Sequence, residues 1–121
     1  MSLTELEAYF VGEYNDVAPN GHVTLRRLDS VEGAQGVQFL CPKCFKENKG
    51  PIGTHSILCW FLNPRNALNV PDEADPKPGR WIFEGEKLEE LSFVGPAAAS
   101  ILLTSGCGWH GFIRSGKTSD T

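Results

Sequence analysis

The sequence predicts a single, mainly β domain with mostly antiparallel strands and little helix, stapled by two ligand-bearing turns of the zinc-ribbon kind. Three observations carry this. Apolar and β-branched residues fall in short runs separated by Gly, Pro and Asn, without sustained helical periodicity. With 121 residues, 40% of them hydrophobic, three Trp and seven Phe, the chain can build one core and is too short for two. Finally, Cys41-Pro42-Lys43-Cys44 and Cys107-Gly108-Trp109-His110 are two ligand pairs of identical spacing.

Ser2 and Glu5 have capping-box spacing, so a short helix is expected to begin within residues 2–9. Tyr9-Phe10-Val11 then favours a strand. Asn20-Gly21 is a hairpin-type turn, with His22-Val23-Thr24-Leu25 alternating behind it and His22 a solvated turn residue. Gly33 and Gly36 bracket a break, and Val37-Gln38-Phe39-Leu40 delivers the chain to the first ligand pair. Lys46 to Pro51 reads as a polar turn, and His55 to Phe61 as the strongest strand signal in the chain.

Residues 63–79 hold Pro64, Pro71, Pro76 and Pro78, with Asp72, Glu73 and Asp75 among them. This stretch reads as a surface loop too long for an ordinary connection, serving either to span two strands or as a partner-binding arm. Arg80 to Phe83 follows as a strand, Gly85-Glu86 as a turn, and Leu88, Leu91 and Phe93 as a half-exposed segment. Pro96 is placed to open a helix, but the apolar run Ser100 to Leu103 favours a strand leading into the second ligand pair. Gly111 to Arg114 is the last expected strand, and 115–121 a flexible tail.

Two Cys or Cys/His pairs in one small domain have two ready uses, disulfides and metal. The acidic start Met1-Ser2-Leu3-Thr4-Glu5-Leu6-Glu7 lacks the apolar core of a signal peptide, and no apolar run matches a membrane span. A cytoplasmic location is therefore expected, where thiols stay reduced and paired Cys serve metal. Cys41, Cys44, Cys107 and His110 would close a four-coordinate site for structural Zn²⁺, leaving no position for a substrate water. Pro42 pre-sets the backbone of the first turn and Gly108 relaxes the second. Cys59, inside an apolar run, reads as a core thiol; His55, at the start of the same strand, reads as an ordinary hydrogen-bonded histidine.

A net charge of −4 argues against generic duplex nucleic-acid binding. Local placement is more informative. Lys43, Lys46 and Lys49 surround the first pair, and Arg114 and Lys117 follow the second, so a shared ion would gather them with Trp109 on one face. Such a face suits single-stranded nucleic acid, or a partner protein; its plainer role is to balance the thiolate charge of the site. Catalytic signals are absent. Neither Ser100 nor Ser105 sits in a nucleophile elbow with His110 and Asp120, and Gly33-Ala34-Gln35-Gly36 lacks the Lys and Ser/Thr of a phosphate loop. The acidic cluster at 72–75 lacks calcium-loop spacing.

Val37 to Cys44, Gly95-Pro96-Ala97-Ala98-Ala99-Ser100-Ile101 and Cys107 to Gly116 together resemble a family of small uncharacterised bacterial and bacteriophage proteins. Its members carry a CP-x-C turn, a Pro/Ser-containing strand and a C-x-x-H followed by an aromatic-Ile-Arg-x-Gly strand. Some bear the label ammonia monooxygenase, which no copper or di-iron ligand set in this sequence supports. The resemblance implies the ligand set Cys41, Cys44, Cys107 and His110, and a phage or bacterial origin, in host cytoplasm if phage-encoded. The Pro-rich 63–79 loop departs from the family pattern. The leading functional expectation is a zinc-stabilised binding or accessory module with a protein partner. The others are a single-stranded nucleic-acid binder and a zinc enzyme built on His55 and His110.

Overall fold

The run from Ile57 to Phe61 is apolar at every position, which suits a strand covered on both faces. The computed structural model, which describes residues 1–12, 26–65, 81–95, 100–103 and 107–120, places it at the centre of the larger of two sheets. That sheet contains β1 (Tyr9–Gly12), β2 (Arg26–Leu28), β3 (Gly36–Leu40), β4 (Ser56–Leu62), β5 (Trp81–Glu84) and β6 (Ser92–Gly95). Its spatial order is β2-β1-β3-β4-β5-β6. A smaller sheet contains β7 (Ile101–Leu102), β8 (His110–Arg114) and β9 (Lys117–Asp120), in that order. Every pairing is antiparallel except β4 with β5. The fold is thus mainly β, with one α-helix, α1 (Pro42–Asn48), among the described residues.

Side-chain alternation sorts β4 onto two surfaces. Ile57, Cys59 and Phe61 enter the main core with Phe10, Val37 and Phe39. Trp60 packs with Val11, Tyr9 and Leu58 in a separate, smaller cluster. The smaller sheet adds Ile101, Trp109 and Ile113 to the main core. The contact is edge-to-face between Phe39 and Trp109, whose ring centres lie 6.3 Å apart at 82°. At the far end Phe61 meets Phe83 at 4.2 Å, and Trp81 stacks on Phe93 at 5.4 Å. Each such pair is worth about 0.5–1.5 kcal/mol beyond area burial.

The N-terminal residues bridge the sheets. Ser2 pairs with Lys117, and the Thr118 amide donates to the Met1 carbonyl at 2.7 Å. Leu3 and Leu6 are buried, and the Leu40 amide donates to the Leu6 carbonyl at 2.9 Å. One half of the expected capping box forms, as the Glu5 amide donates to Ser2 Oγ at 3.2 Å; the Glu5 carboxylate accepts from the Ser2 hydroxyl at 3.0 Å rather than from its amide. A left-handed Glu7 (φ 54°) ends it after a single turn, so no helix develops before β1.

Three other expectations change. Residues 117–120 are not a frayed tail but β9. Ser115 (φ 50°) and Gly116 (φ 73°), both left-handed, make the tight hairpin turn that returns the chain alongside β8. Gly116 also lies so close to the backbone of Leu88 and Glu89 that a Cβ would meet it at 2.6 Å. Leu91 and Phe93 are buried rather than half-exposed. The segment after Cys41, read as turns, is largely α1: Pro42 opens it, where its missing N–H costs nothing, and left-handed Lys49 closes it. The Asn20-Gly21 turn, the His22–Leu25 strand, positions 66–79 of the Pro-rich stretch and the Pro96–Ala99 run lie outside the described residues.

Parallel pairing of Phe61 with Trp81 and Leu62 with Ile82 gives the 63–79 stretch a topological duty. Consecutive parallel neighbours need a crossover of about a dozen residues or more, because the chain must return along the strand. Its length is thus demanded by β5. Replacing residues 66–77 with a Gly/Ser segment of equal length should leave the thermal midpoint within a few degrees of the parent. Deleting residues 65–79 leaves three residues between β4 and β5, too few for that crossover, and should lower the midpoint sharply. Equal melting of the two variants would refute the crossover duty.

Candidate metal centre

The β3–β4 ladder sets the geometry. Leu40 lies opposite Ser56, and one step further the Cys41 amide donates to the His55 carbonyl at 2.9 Å. Strand register therefore brings Cys41 and His55 to facing positions at the mouth of the hairpin. Between them the chain makes an excursion through α1. Cys41 occupies its N-cap with extended backbone (φ −61°, ψ 122°), and Cys44 sits in the first turn. The return is held by the Thr54 hydroxyl, which donates to the Gly50 carbonyl at 2.8 Å, and by Asn48 Nδ2, which donates to Thr54 Oγ1 at 3.2 Å.

The fourth group comes from the smaller sheet. Cys107 lies on the connection from β7 to β8, and Lys43 Nζ donates to its carbonyl at 2.9 Å. The Leu103 amide donates to the Trp109 carbonyl at 2.9 Å, which closes the base of that connection. Cys107 Sγ lies 3.4 Å from Cys41 Sγ and 3.3 Å from His55 Nε2. One ligand atom from each of Cys41, Cys44, His55 and Cys107 falls within 4.8 Å of all the others.

These separations fit a single ion. With metal–sulfur bonds of about 2.3 Å and a metal–nitrogen bond of about 2.0 Å, tetrahedral geometry puts the ligand atoms roughly 3.5–3.8 Å apart. Three thiols and an imidazole are also the donors that a soft or borderline transition metal prefers. All four cysteines of the chain are free, so no disulfide competes. The cluster can hold a metal ion.

Electrostatics divide the sulfurs. Cys41 is buried, and burial is the chief cause that pushes its thiol up to about 12. Cys44 is raised too, first by burial and then by the Cys107 sulfur. At Cys107 burial also opposes ionisation, but hydrogen bonds from His55, Cys41, the Trp109 amide and Cys44 outweigh it and bring the thiol down to about 7. Without an ion the pocket favours one thiolate, at Cys107, flanked by neutral thiols.

The structure thus brings together three of the four ligands expected from sequence and replaces the fourth. His110 is the first residue of β8, opposite Leu102, and does not belong to the cluster. A C-x-x-H pair chelates when its two middle residues let the backbone curl. Here Trp109 is drawn into the core and His110 already belongs to an extended ladder. His55, read as an ordinary histidine, takes the place. The signal that finds it is register: in an antiparallel hairpin running Gly36 opposite Trp60, Cys41 falls opposite His55.

The expected basic face lacks its aromatic. Lys43, Lys46 and Lys49 are exposed on or beside α1, and Lys46 lies 3.8 Å from Asp120. The Arg114 guanidinium covers the Phe112 ring at 4.4 Å, and Lys117 is exposed on β9. Trp109 is only 3% exposed and donates from Nε1 to Asp120 Oδ1 at 2.8 Å, so it presents no ring for stacking. Cys59 is the expected core thiol, opposite Val37, with its ionisation suppressed by burial. No helix among the described residues is long and apolar enough to cross a membrane. No family model, curated protein or solved structure matches the chain.

His55→Ala should weaken metal binding by more than about 100-fold, since even an outer partner of a ligand costs 10–100-fold. His110→Ala should leave affinity within a few-fold of the parent. Competitive titration against a chromophoric chelator measures both, and the reverse ranking would restore the C-x-x-H reading. Cys59→Ser should retain the ion while losing about 1–3 kcal/mol in denaturant unfolding, from burying a hydroxyl.

Proposed function

We propose that the chain is a structural-zinc protein that serves as a binding or accessory module, acting through a protein partner rather than by turning over a substrate. The observation that carries the reading is the convergence of Cys41, Cys44, His55 and Cys107. Four protein donors complete a tetrahedral zinc ion and leave no position for an activated water, which is the arrangement of structural sites. When bound, the ion would supply a cross-link between the two sheets. The chain's own residues orient the donors: the β3–β4 register sets Cys41 and His55, the Pro42 turn sets Cys44, and Lys43 holds the Cys107 carbonyl.

Free thiols throughout support a reducing, cytoplasmic setting, and a bacterial or phage source remains part of this proposal. A protein partner is favoured over nucleic acid because Trp109 is committed to the core, while Ile82 and Val94 are half-exposed on the paired strands β5 and β6. Single strands would have to be held there by cations without the Trp109 ring. A filter-binding assay with labelled single-stranded DNA at low and moderate salt should show no saturable retention. Salt-sensitive saturable binding would overturn the protein-partner reading, since charge-driven contacts weaken with salt.

Protein purified in the presence of zinc should carry about one zinc per chain, as four donors make one tetrahedral site. Ionised sulfur is the ligand form, so uptake must displace thiol protons. At pH 8 Cys107, at about 7, is already ionised, whereas Cys41, at about 12, and the raised Cys44 are protonated. Zinc uptake by the metal-free protein should therefore release about two protons at that pH, read by an indicator dye in weak buffer. Because protons compete with the ion for the same sulfurs, affinity should fall as pH is lowered through 7. Absence of zinc after purification, or uptake without proton release, would sink the site.

A further inference from the structure

The three sulfurs of the cluster are not equivalent in access. Cys41 is fully buried, whereas Cys44 and Cys107 are partly exposed. Cys107 also has polar groups beside it: Lys43 Nζ donates to its carbonyl at 2.9 Å, and His55 Nε2 lies 3.3 Å from its sulfur. A partly exposed sulfur beside cationic or donor groups is the environment in which cysteines react with oxidants. A resolving nucleophile for a second step is also at hand, since the buried Cys41 sulfur stands 3.4 Å away.

We infer that Cys107 is a peroxide-reactive modification site whose oxidation closes a disulfide to Cys41 and expels the metal. The inference rests on the reading of this cluster as a metal site. The steps balance with a hydroperoxide as oxidant. The Cys107 thiolate attacks one peroxide oxygen, the O–O bond breaks, and a sulfenic acid forms as hydroxide leaves. The Cys41 sulfur then attacks the sulfenic sulfur, an S–S bond forms, the S–O bond breaks, and a second hydroxide leaves. Two sulfurs are oxidised by one electron each and the peroxide is reduced by two. The metal dication is released because two of its four donors are gone.

The competing product is a Cys41–Cys44 disulfide, which the C-x-x-C spacing alone would favour. Position argues for the longer link. Cys41 and Cys44 are both fixed by α1, whereas Cys107 lies on the β7–β8 connection and is followed directly by left-handed Gly108 (φ 68°), around which nothing crowds. Closing from 3.4 Å to a disulfide bond length of about 2.05 Å asks for a shift of little more than an ångström at that connection. Cys59, buried across the β3–β4 ladder, provides an internal control that should not react.

The experiment uses zinc-loaded full-length protein whose metal content has been measured first, so that failure to load counts against the metal site and not against the switch. Hydrogen peroxide is added, zinc release is followed with a chromophoric chelator, and the products are digested without reduction for mass spectrometry. About one zinc should be released per disulfide formed, with the principal cross-link joining the Cys41 and Cys107 peptides, the Cys59 peptide unmodified, and dithiothreitol with added zinc restoring the loaded form. A predominant Cys41–Cys44 cross-link, or zinc release with Cys107 still reduced, would overturn the proposal. Cys44→Ser, which keeps both proposed partners, should still form the Cys41–Cys107 link; loss of that link in a folded variant would also overturn it.

Discussion

Everything in this molecule hangs on the pairing of β3 with β4. That one ladder aligns Val37 with Cys59 and Phe39 with Ile57, which lays down the floor of the main core. It also fixes β4 as the strand against which β5 runs parallel, and β3 as the strand against which β1 pairs. Continued one residue beyond its last pair, it sets Cys41 across from His55. A slip of one residue would turn the core face of β4 to the other side and part the two ligands at the same stroke. Packing and metal chemistry are therefore specified by the same hydrogen bonds.

The smaller sheet is joined to this frame in two chemically different ways. Apolar contact comes through Trp109, which meets Phe39 edge-on while Asp120 satisfies its indole N–H. Polar contact comes through Cys107, two residues earlier, whose sulfur and carbonyl both face groups of the β3–α1–β4 unit. The side chain just before β8 thus anchors the core while its neighbour but one completes the cluster. His110 sits between neither. It belongs to the ladder that holds the smaller sheet together.

Much of this was legible in the sequence. Strands β1, β3, β4, β5, β7 and β8 coincide with the short apolar runs, because each has a face or both faces buried and so shows its pattern directly. Three cysteines of the cluster announced themselves by spacing. What escaped notice was set by tertiary partners. β9, Lys-Thr-Ser-Asp, is polar and exposed at three of its four positions, so nothing apolar marks it; it is held by backbone pairing behind the Ser115-Gly116 turn. Leu91 and Phe93 sit among acidic residues, and tertiary partners such as Trp81, on which Phe93 stacks, make them core. α1 was hidden by its brevity, with Pro42 and Cys41 pointing to a knuckle as readily as to a helix start. His55 carries no spacing signal along the chain, because its relation to Cys41 runs across a ladder.

The bridge between Ser2 and Lys117 gives the fold an order in time. A contact between residues so far apart in the chain cannot form until the whole segment between them is available, and closing so long a loop is entropically costly until other contacts shorten it. On a ribosome, Leu3 would emerge long before Gly116, whose carbonyl accepts from its amide at 2.8 Å. The residues of the cluster follow another schedule. Cys41, Cys44 and His55 emerge close together and can gather around an ion while Cys107 is still unmade. An ion captured early would hold the β3–β4 hairpin in register, and the last strands would then fold onto a nucleus already tied.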